Sequence, residues 1–479
     1  MFSPTLSSRT RAIPSHSLPS ELKLTARLGT PLAIGELGWM STYIVDAIMV
    51  GRMPHSALAI AASSLGNSIF SAFVFCAIGL LYGLDALVSQ AFGRGEREDG
   101  LYSLLQSLFV VAVCAPVVML ATSLAPLVLT RLHVDPIMVG ETTRYLHALG
   151  WSALPLLLYM GVRHYLQAID RPGWVMVSLL TANLVNLGGD WALIYGHIGF
   201  PAMGIAGSGW ATVLTRVYML ALLLVSLGLS LRAAPVTMRA RAMRPDWHRV
   251  RALLRIGWPV GLQSLGELSL ATFSSVLLSK LGATLLAAHQ VVLDLNAFVA
   301  MVPIGIAAAA AVRTGQGVGA RGPLQVRRAG YAGVLIIVAC MVVAALSFFL
   351  APRAWAHIYT TDAKVVAAAI PIFAICACNQ VFDGSQVVLA GALRGMGETR
   401  IPFLASFCCN WLIGIPVEVL LVTRLHMGLV GVWLAGSAAL VPLFAIIVTT
   451  WVRRTHRFTA AVRQPYKTPA GEGSLLQVQ

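Results

Sequence analysis

Eight of the chain's 19 acidic residues, Glu36, Asp46, Asp85, Asp190, Glu267, Asp294, Asp383 and Glu418, stand inside long apolar stretches. At the centre of a membrane helix a carboxylate costs about 2.5–3.5 kcal/mol on the insertion scale, and such acids face a cavity, a partner or an ion path. Asn186 and Asp190 are four residues apart and so share one helical face. With Asp46 they offer two carboxylates and an amide oxygen, to which Ser208 or Thr212 can add a hydroxyl. Hard cations take oxygen ligands, so Asp46, Asn186 and Asp190 suit sodium as well as a proton. Glu267 and Asp383 stand in the second half of the chain. A poorly hydrated carboxyl there can hold a proton or a cationic ligand in turn, which couples their opposite movements. The other four read as structure: Asp85, Asp294 and Glu418 near span ends, within reach of interfacial water, and Glu36 as a polar contact between helices.

The elements that must position these groups follow from composition. Of 479 residues, 57% are hydrophobic and 11% charged, against about 25% charged in a soluble domain. Apolar runs of about 20 residues, enough to cross a bilayer, recur about twelve times, so the chain reads as an all-α membrane protein with about 12 transmembrane helices. A net charge of +15 might be taken to imply nucleic acid, but its placement excludes that partner. With the N-terminus in the cytoplasm, most Lys and Arg fall on the inner side, as the positive-inside rule requires, and an even number of spans returns the C-terminus there. The first 23 residues lack the apolar core of a cleaved leader. All seven cysteines fall within spans, without metal-ligand spacing or a disulfide framework.

The sequence also repeats itself. Arg27-Leu-Gly-Thr-Pro31 returns as Arg255-Ile-Gly-Trp-Pro259, 228 residues on; Leu166 and Asn183 match Leu393 and Asn410 at an offset of 227; Gly204-Ile-Ala-Gly207 matches Gly428-Leu-Val-Gly431 at 224. Two six-helix blocks follow: a segment 1–27, an N-lobe over 28–231, a basic linker 232–251, a C-lobe over 252–453, and a polar tail 454–479 that reads as disordered. An offset of six crossings keeps both blocks in one orientation, so the repeats are parallel. Parallel halves can rock about an axis along the membrane normal and expose a central site to alternate sides.

Several segments resemble the MATE (multidrug and toxic compound extrusion) family. They are the Leu-Gly-Thr-Pro motif with Asp46 fifteen residues after Pro31, Gly83-Leu-Asp-Ala-Leu-Val-Ser-Gln-Ala-Phe-Gly93, Ala287-Ala-His-Gln290, Val387-Val-Leu-Ala-Gly-Ala-Leu-Arg-Gly395, and the Asn186 to Asp190 spacing. The resemblance runs from about Glu21 to Arg454 and implies two six-helix lobes around a V-shaped cleft. It also implies efflux of small organic cations in exchange for sodium or protons, with no cofactor. Residue by residue, Asp46, Asn186, Asp190 and Thr212 look like the N-lobe cation site, and Glu267 and Asp383 like the C-lobe acids of the NorM-type branch. Glu36 lies outside that pattern, and Asp294 stands where an Asn is more usual.

Trp39, Met40, Tyr43 and Phe273 are candidates for the lining of a polyspecific cavity, since aromatic rings and thioethers accept varied flat cations. Other transport readings are an exporter of organic acids or a flippase for lipid-linked precursors. The flippase needs intramembrane cations, and Arg216 alone lies well inside a span. An enzyme is not indicated, because the chain has no phosphate-binding loop, His-Glu-x-x-His motif or nucleophile elbow. The expected setting is the cell membrane, crossed many times by a monomer whose partners are lipid and substrate.

Overall fold

The computed structural model describes residues 17–53, 56–233 and 244–463. Parts of the N-terminal segment, the basic linker and the polar tail lie outside these residues. The described residues fold into helices and contain no strand. The first lobe comprises α1 (Leu18–Gly51), α2 (Ser56–Leu81) with its continuation α3 (Gly83–Arg94), α4 (Arg97–Arg131), α5 (Pro136–Gly150) with α6 (Ala153–Ala168), α7 (Pro172–Tyr195) and α8 (Ile205–Ala233). The second comprises α9 (Trp247–Ser279), α10 (Ala283–Gly319), α11 (Pro323–Leu350), the short α12 (Pro352–His357) with α13 (Ala363–Gly395), α14 (Arg400–Cys408) with α15 (Ile415–Val419), and α16 (Gly428–Arg463). The α14–α15 segment contains two π turns, Cys409–Gly414 and Leu420–Arg424.

Among the described residues ten helices are long and apolar enough to cross a membrane, and α5 with α6, bent by 43°, makes an eleventh. The remaining long helix, α9, has His248, Arg249, Arg251 and Arg255 at its head and Gln263 and Glu267 further in. Several helices exceed the apolar run that marks them. Thus α1 begins at Leu18 with Pro19 in its first turn, and α16 continues to Arg463 on basic residues at its dipole's negative end. Starts are set by side-chain caps: Asp135 accepts from the Ile137 N–H at 3.0 Å, Asp246 from His248 at 2.9 Å and Asp362 from Lys364 at 2.8 Å. Against the slight cost of its burial, the N–H groups of Arg249 and His248 and the Tyr102 hydroxyl hold the Asp246 carboxyl below the usual carboxylate range.

The two lobes meet through α1 against α10 and α2 against α9, a pairing that the repeat makes symmetric. Gly79 lies against the Gly261 backbone, and Gly305 against the Ala33 backbone. Nearer the chain turns, Gly93 meets Gln316 and Gly319 meets Gln90. Each contact is the repeat image of its partner. Apolar surface drives little association inside lipid, so close backbone approach at small residues is what holds such helices together.

Polar ties between lobes gather at one end, which also holds the linker and the basic helix termini. Arg313 donates to both oxygens of the buried Glu21 at 2.9 and 3.0 Å. Arg394 donates to Asp85 at 3.1 Å, Arg249 pairs with Asp99, Tyr102 donates to Asp246 at 3.0 Å, and Gln90 donates to the Gly395 carbonyl at 2.9 Å. That end is closed.

At the Gly79 crossing the neighbour is backbone and cannot move aside. Gly79→Leu should therefore destabilise the fold by about 1–3 kcal/mol or more, read as a lower thermal midpoint of the purified protein. Gly140→Ala, which meets open space, should leave the midpoint unchanged; equal midpoints for the two variants would show that the crossing is not tight.

Candidate functional site

In the first lobe, Asp46 on α1 is brought against Asn186 and Asp190 on α7. The helical face that joins Asn186 to Asp190 points at α1, and α7 is drawn close to α1 by Asn183, which donates to the Gly38 carbonyl at 2.9 Å. Asn186 and Asp190 are fully buried. Asp46 Oδ1, both carboxylate oxygens of Asp190 and both polar atoms of the Asn186 amide are buried without a hydrogen-bond partner. Buried polar groups are normally satisfied, so this cluster stands out. Its oxygens fit the donor chemistry of a small hard cation, and either carboxylate can take a proton.

Asp46 opens onto a cavity of about 380 Å³ lined also by Trp39, Met40, Tyr43, Phe70, Thr212 and Arg216. Thr212 lines the same cavity as Asp46, but its hydroxyl donates back to the Ser208 carbonyl at 3.0 Å. Sequence reasoning did not include Arg216 in the site. Its guanidinium lies 4.8 Å above the Phe70 ring, bonds to the Ser152 hydroxyl, and stands within charge range of Asp46. An arginine alone in a span was the available signal.

In the second lobe Glu267 on α9 and Asp383 on α13 line one cavity of about 250 Å³ with Asn296, Asn379, Gln380 and Asn410. Gln263 donates to Glu267 at 3.0 Å and Gln386 to Asp383 at 3.2 Å. The walls are thus rich in amides. Phe273 lines neither cavity; it is one residue from the inward-facing Ser274 and so turned about 100° away.

The remaining acids divide differently from expectation. Asp85 does not reach interfacial water but is fully buried, accepting from Arg394 and lying 2.7 Å from His164 Nδ1. Glu418 is likewise only 3% exposed, with the Ser274 hydroxyl donating to it at 3.0 Å. Glu36 pairs with Arg163, both buried, so its contact is a full ion pair. Asp294 accepts from Gln290 at 2.9 Å. Arg163, Arg313 and Arg394 join Arg216 as arginines sunk into the bundle; their signal in the sequence was an acid that lacked a partner. Among the described residues no three His, Cys, Asp or Glu side chains are grouped to hold a metal ion.

Comparison with known proteins places this geometry. The MatE family model matches twice, over residues 31–192 and 259–420, two copies set 228 residues apart. The chain is 33% identical to "Multidrug resistance protein NorM" of Burkholderia vietnamiensis over 95% of its own length and 98% of the relative's. It is 32% identical to "Probable multidrug resistance protein NorM" of Pseudomonas aeruginosa over 90% and 89%. Among solved structures it superposes on the eukaryotic MATE transporter AtDTX14 with a TM-score of 0.82 at 17% identity, covering 93% of this chain and 99% of that one. An outward-facing MATE family transporter matches with a TM-score of 0.82 at 18% identity, covering 93% and 97%.

Removing one partner of a buried ion pair leaves an uncompensated charge and costs about 3–5 kcal/mol. Glu36→Gln should therefore lower the thermal midpoint sharply, and Glu36→Gln combined with Arg163→Met should recover much of the loss. No recovery in the double variant would mean that Glu36 acts otherwise than as the partner of Arg163.

Proposed function

Because the chain belongs to the MatE family of multidrug efflux transporters, we propose that it exports small organic cations across the cell membrane in exchange for sodium ions or protons. The observation that carries this reading is the cluster of unpartnered buried oxygens at Asp46, Asn186 and Asp190 on the wall of an aromatic cavity. A cation entering that cavity meets the Trp39 and Tyr43 rings and the Met40 thioether. Each cation–π contact contributes about 0.5–2 kcal/mol depending on desolvation. Its charge competes with the coupling ion for the same carboxylates. Binding of one and release of the other then follow from a single electrostatic balance, and Glu267 and Asp383 offer a second such balance in the other lobe.

Alternating access follows from the repeat. Rocking of the lobes about the glycine crossings opens the closed end only when the Glu21–Arg313, Asp85–Arg394 and Asp99–Arg249 pairs separate. On this reading a single chain suffices, with the basic end and both termini in the cytoplasm. A second reading, export of an organic acid, has one observation in its favour: Arg216 lines the same cavity as Asp46.

Proteoliposomes containing the purified chain should move a fluorescent organic cation against an imposed sodium or proton gradient. Asp46→Asn and Glu267→Gln, tested separately, should preserve expression and reduce coupled movement about tenfold or more, which is 1.4 kcal/mol of lost coupling. Gradient-independent behaviour towards every cation, together with transport of an organic anion that Arg216→Gln abolishes, would replace this reading by the second.

A further inference from the structure

Glu418 is a buried acid that neither cavity uses, and its position in the repeat is specific. Counting from the Arg27/Arg255 match, the offset of 228 places Ser274 where the first lobe has Asp46. On the partner helices the offset is 227 at Asn183/Asn410, so an unbroken α-helix would bring Val417 to the Asp190 position. The π turn Cys409–Gly414 intervenes. A π turn closes on i→i+5 rather than i→i+4 bonds, accommodating one more residue, and such turns are frequent at functional sites. It therefore advances the register by one and delivers Glu418 to the Asp190 position. The Ser274 hydroxyl donating to Glu418 Oε2 at 3.0 Å shows that the two positions do meet as Asp46 and Asp190 meet.

We propose that Glu418, supported by Ser274, is a proton-binding site of the second lobe, the repeat counterpart of the Asp46–Asp190 pair. Its Oε1 is buried without a hydrogen-bond partner, and that oxygen receives the proton: a carboxylate and a hydronium ion become a carboxylic acid and water. The Asn186 position is occupied by Ile413 or Gly414, so the amide oxygen that the first lobe offers to a sodium ion has no counterpart beside Glu418. A proton needs one lone pair, which Oε1 supplies.

Charge supports the same conclusion. In the first lobe Arg216 stands within charge range of Asp46. The offset of 224 that relates α8 to α16 puts Leu440 at the Arg216 position, so no arginine stands at the corresponding place for Glu418. Glu418 is thus without the cation that Asp46 has, and a proton can take that place. Around Glu418, Lys280 at the end of α9 and Arg424 at the end of the second π turn are exposed and form no ion pair with it. His289 on α10 is buried against Trp433 and pairs with no carboxylate among the described residues.

The role of this proton in transport rests on the antiport reading, but its binding does not. Infrared spectra of the full-length protein, titrated from about pH 5 to about pH 9, the range open to buried carboxyls, should contain a titrating carboxylic-acid C=O band that Glu418→Gln removes. Ser274→Ala, which deletes the one donor, should keep that band and shift its frequency; it also covers the case in which Glu418→Gln fails to fold. Identical titrating bands in wild type and both variants would overturn the proposal. Loss of the band on adding sodium at fixed pH, in wild type alone, would overturn it in favour of a sodium site. Gradient-driven transport is measured separately, so its absence would count against antiport and not against this site.

Discussion

Hydrocarbon offers no water to a charge or to an open backbone group, and nearly every polar feature of this protein is a response to that. Most carboxylates in the bundle either meet a cation inside the fold or face a space where something else can supply one. Glu21, Glu36 and Asp85 take the first course, with Arg313, Arg163 and Arg394. Asp46, Glu267 and Asp383 take the second, on cavity walls, and Asp190 lies behind Asp46. The distinction separates groups that hold the molecule together from groups that remain available for exchange.

The same constraint shapes the junction between lobes. Glycines at the α1–α10 and α2–α9 crossings give contact without directional bonds, over which helices can rock. At the basic end the contact is ionic, made of pairs that are strong while closed and costly to separate unless water enters. The junction therefore combines smooth crossings along its length with one bonded end.

Duplication supplied one backbone twice, and the two copies have since diverged in chemistry. Trp39 in the first lobe corresponds to Glu267 in the second, Arg216 to Leu440, and Asp46 to Ser274. The first lobe has an aromatic cavity lined by Asp46, and the second an amide-rich cavity lined by Glu267 and Asp383. The scaffolding is symmetric and its lining is not.

Hydropathy and spacing alone determined the membrane helices, the parallel repeat and the cost of each intramembrane acid, because these depend on local composition and helical period. The Asn186 to Asp190 face was legible for the same reason, whereas its grouping with Asp46 came from the family resemblance. The tertiary structure decided which acids have partners. Asp85 and Glu418 sit near helix ends in the sequence, yet packing buries both, and the arginine that reaches Asp85 comes from 309 residues away. Phe273 left the cavity because a one-residue rotation on α9 cannot be judged until the neighbour of Ser274 is known. The register of Glu418 depended on a π turn, a departure from the α-helical period that a reading based on that period cannot anticipate.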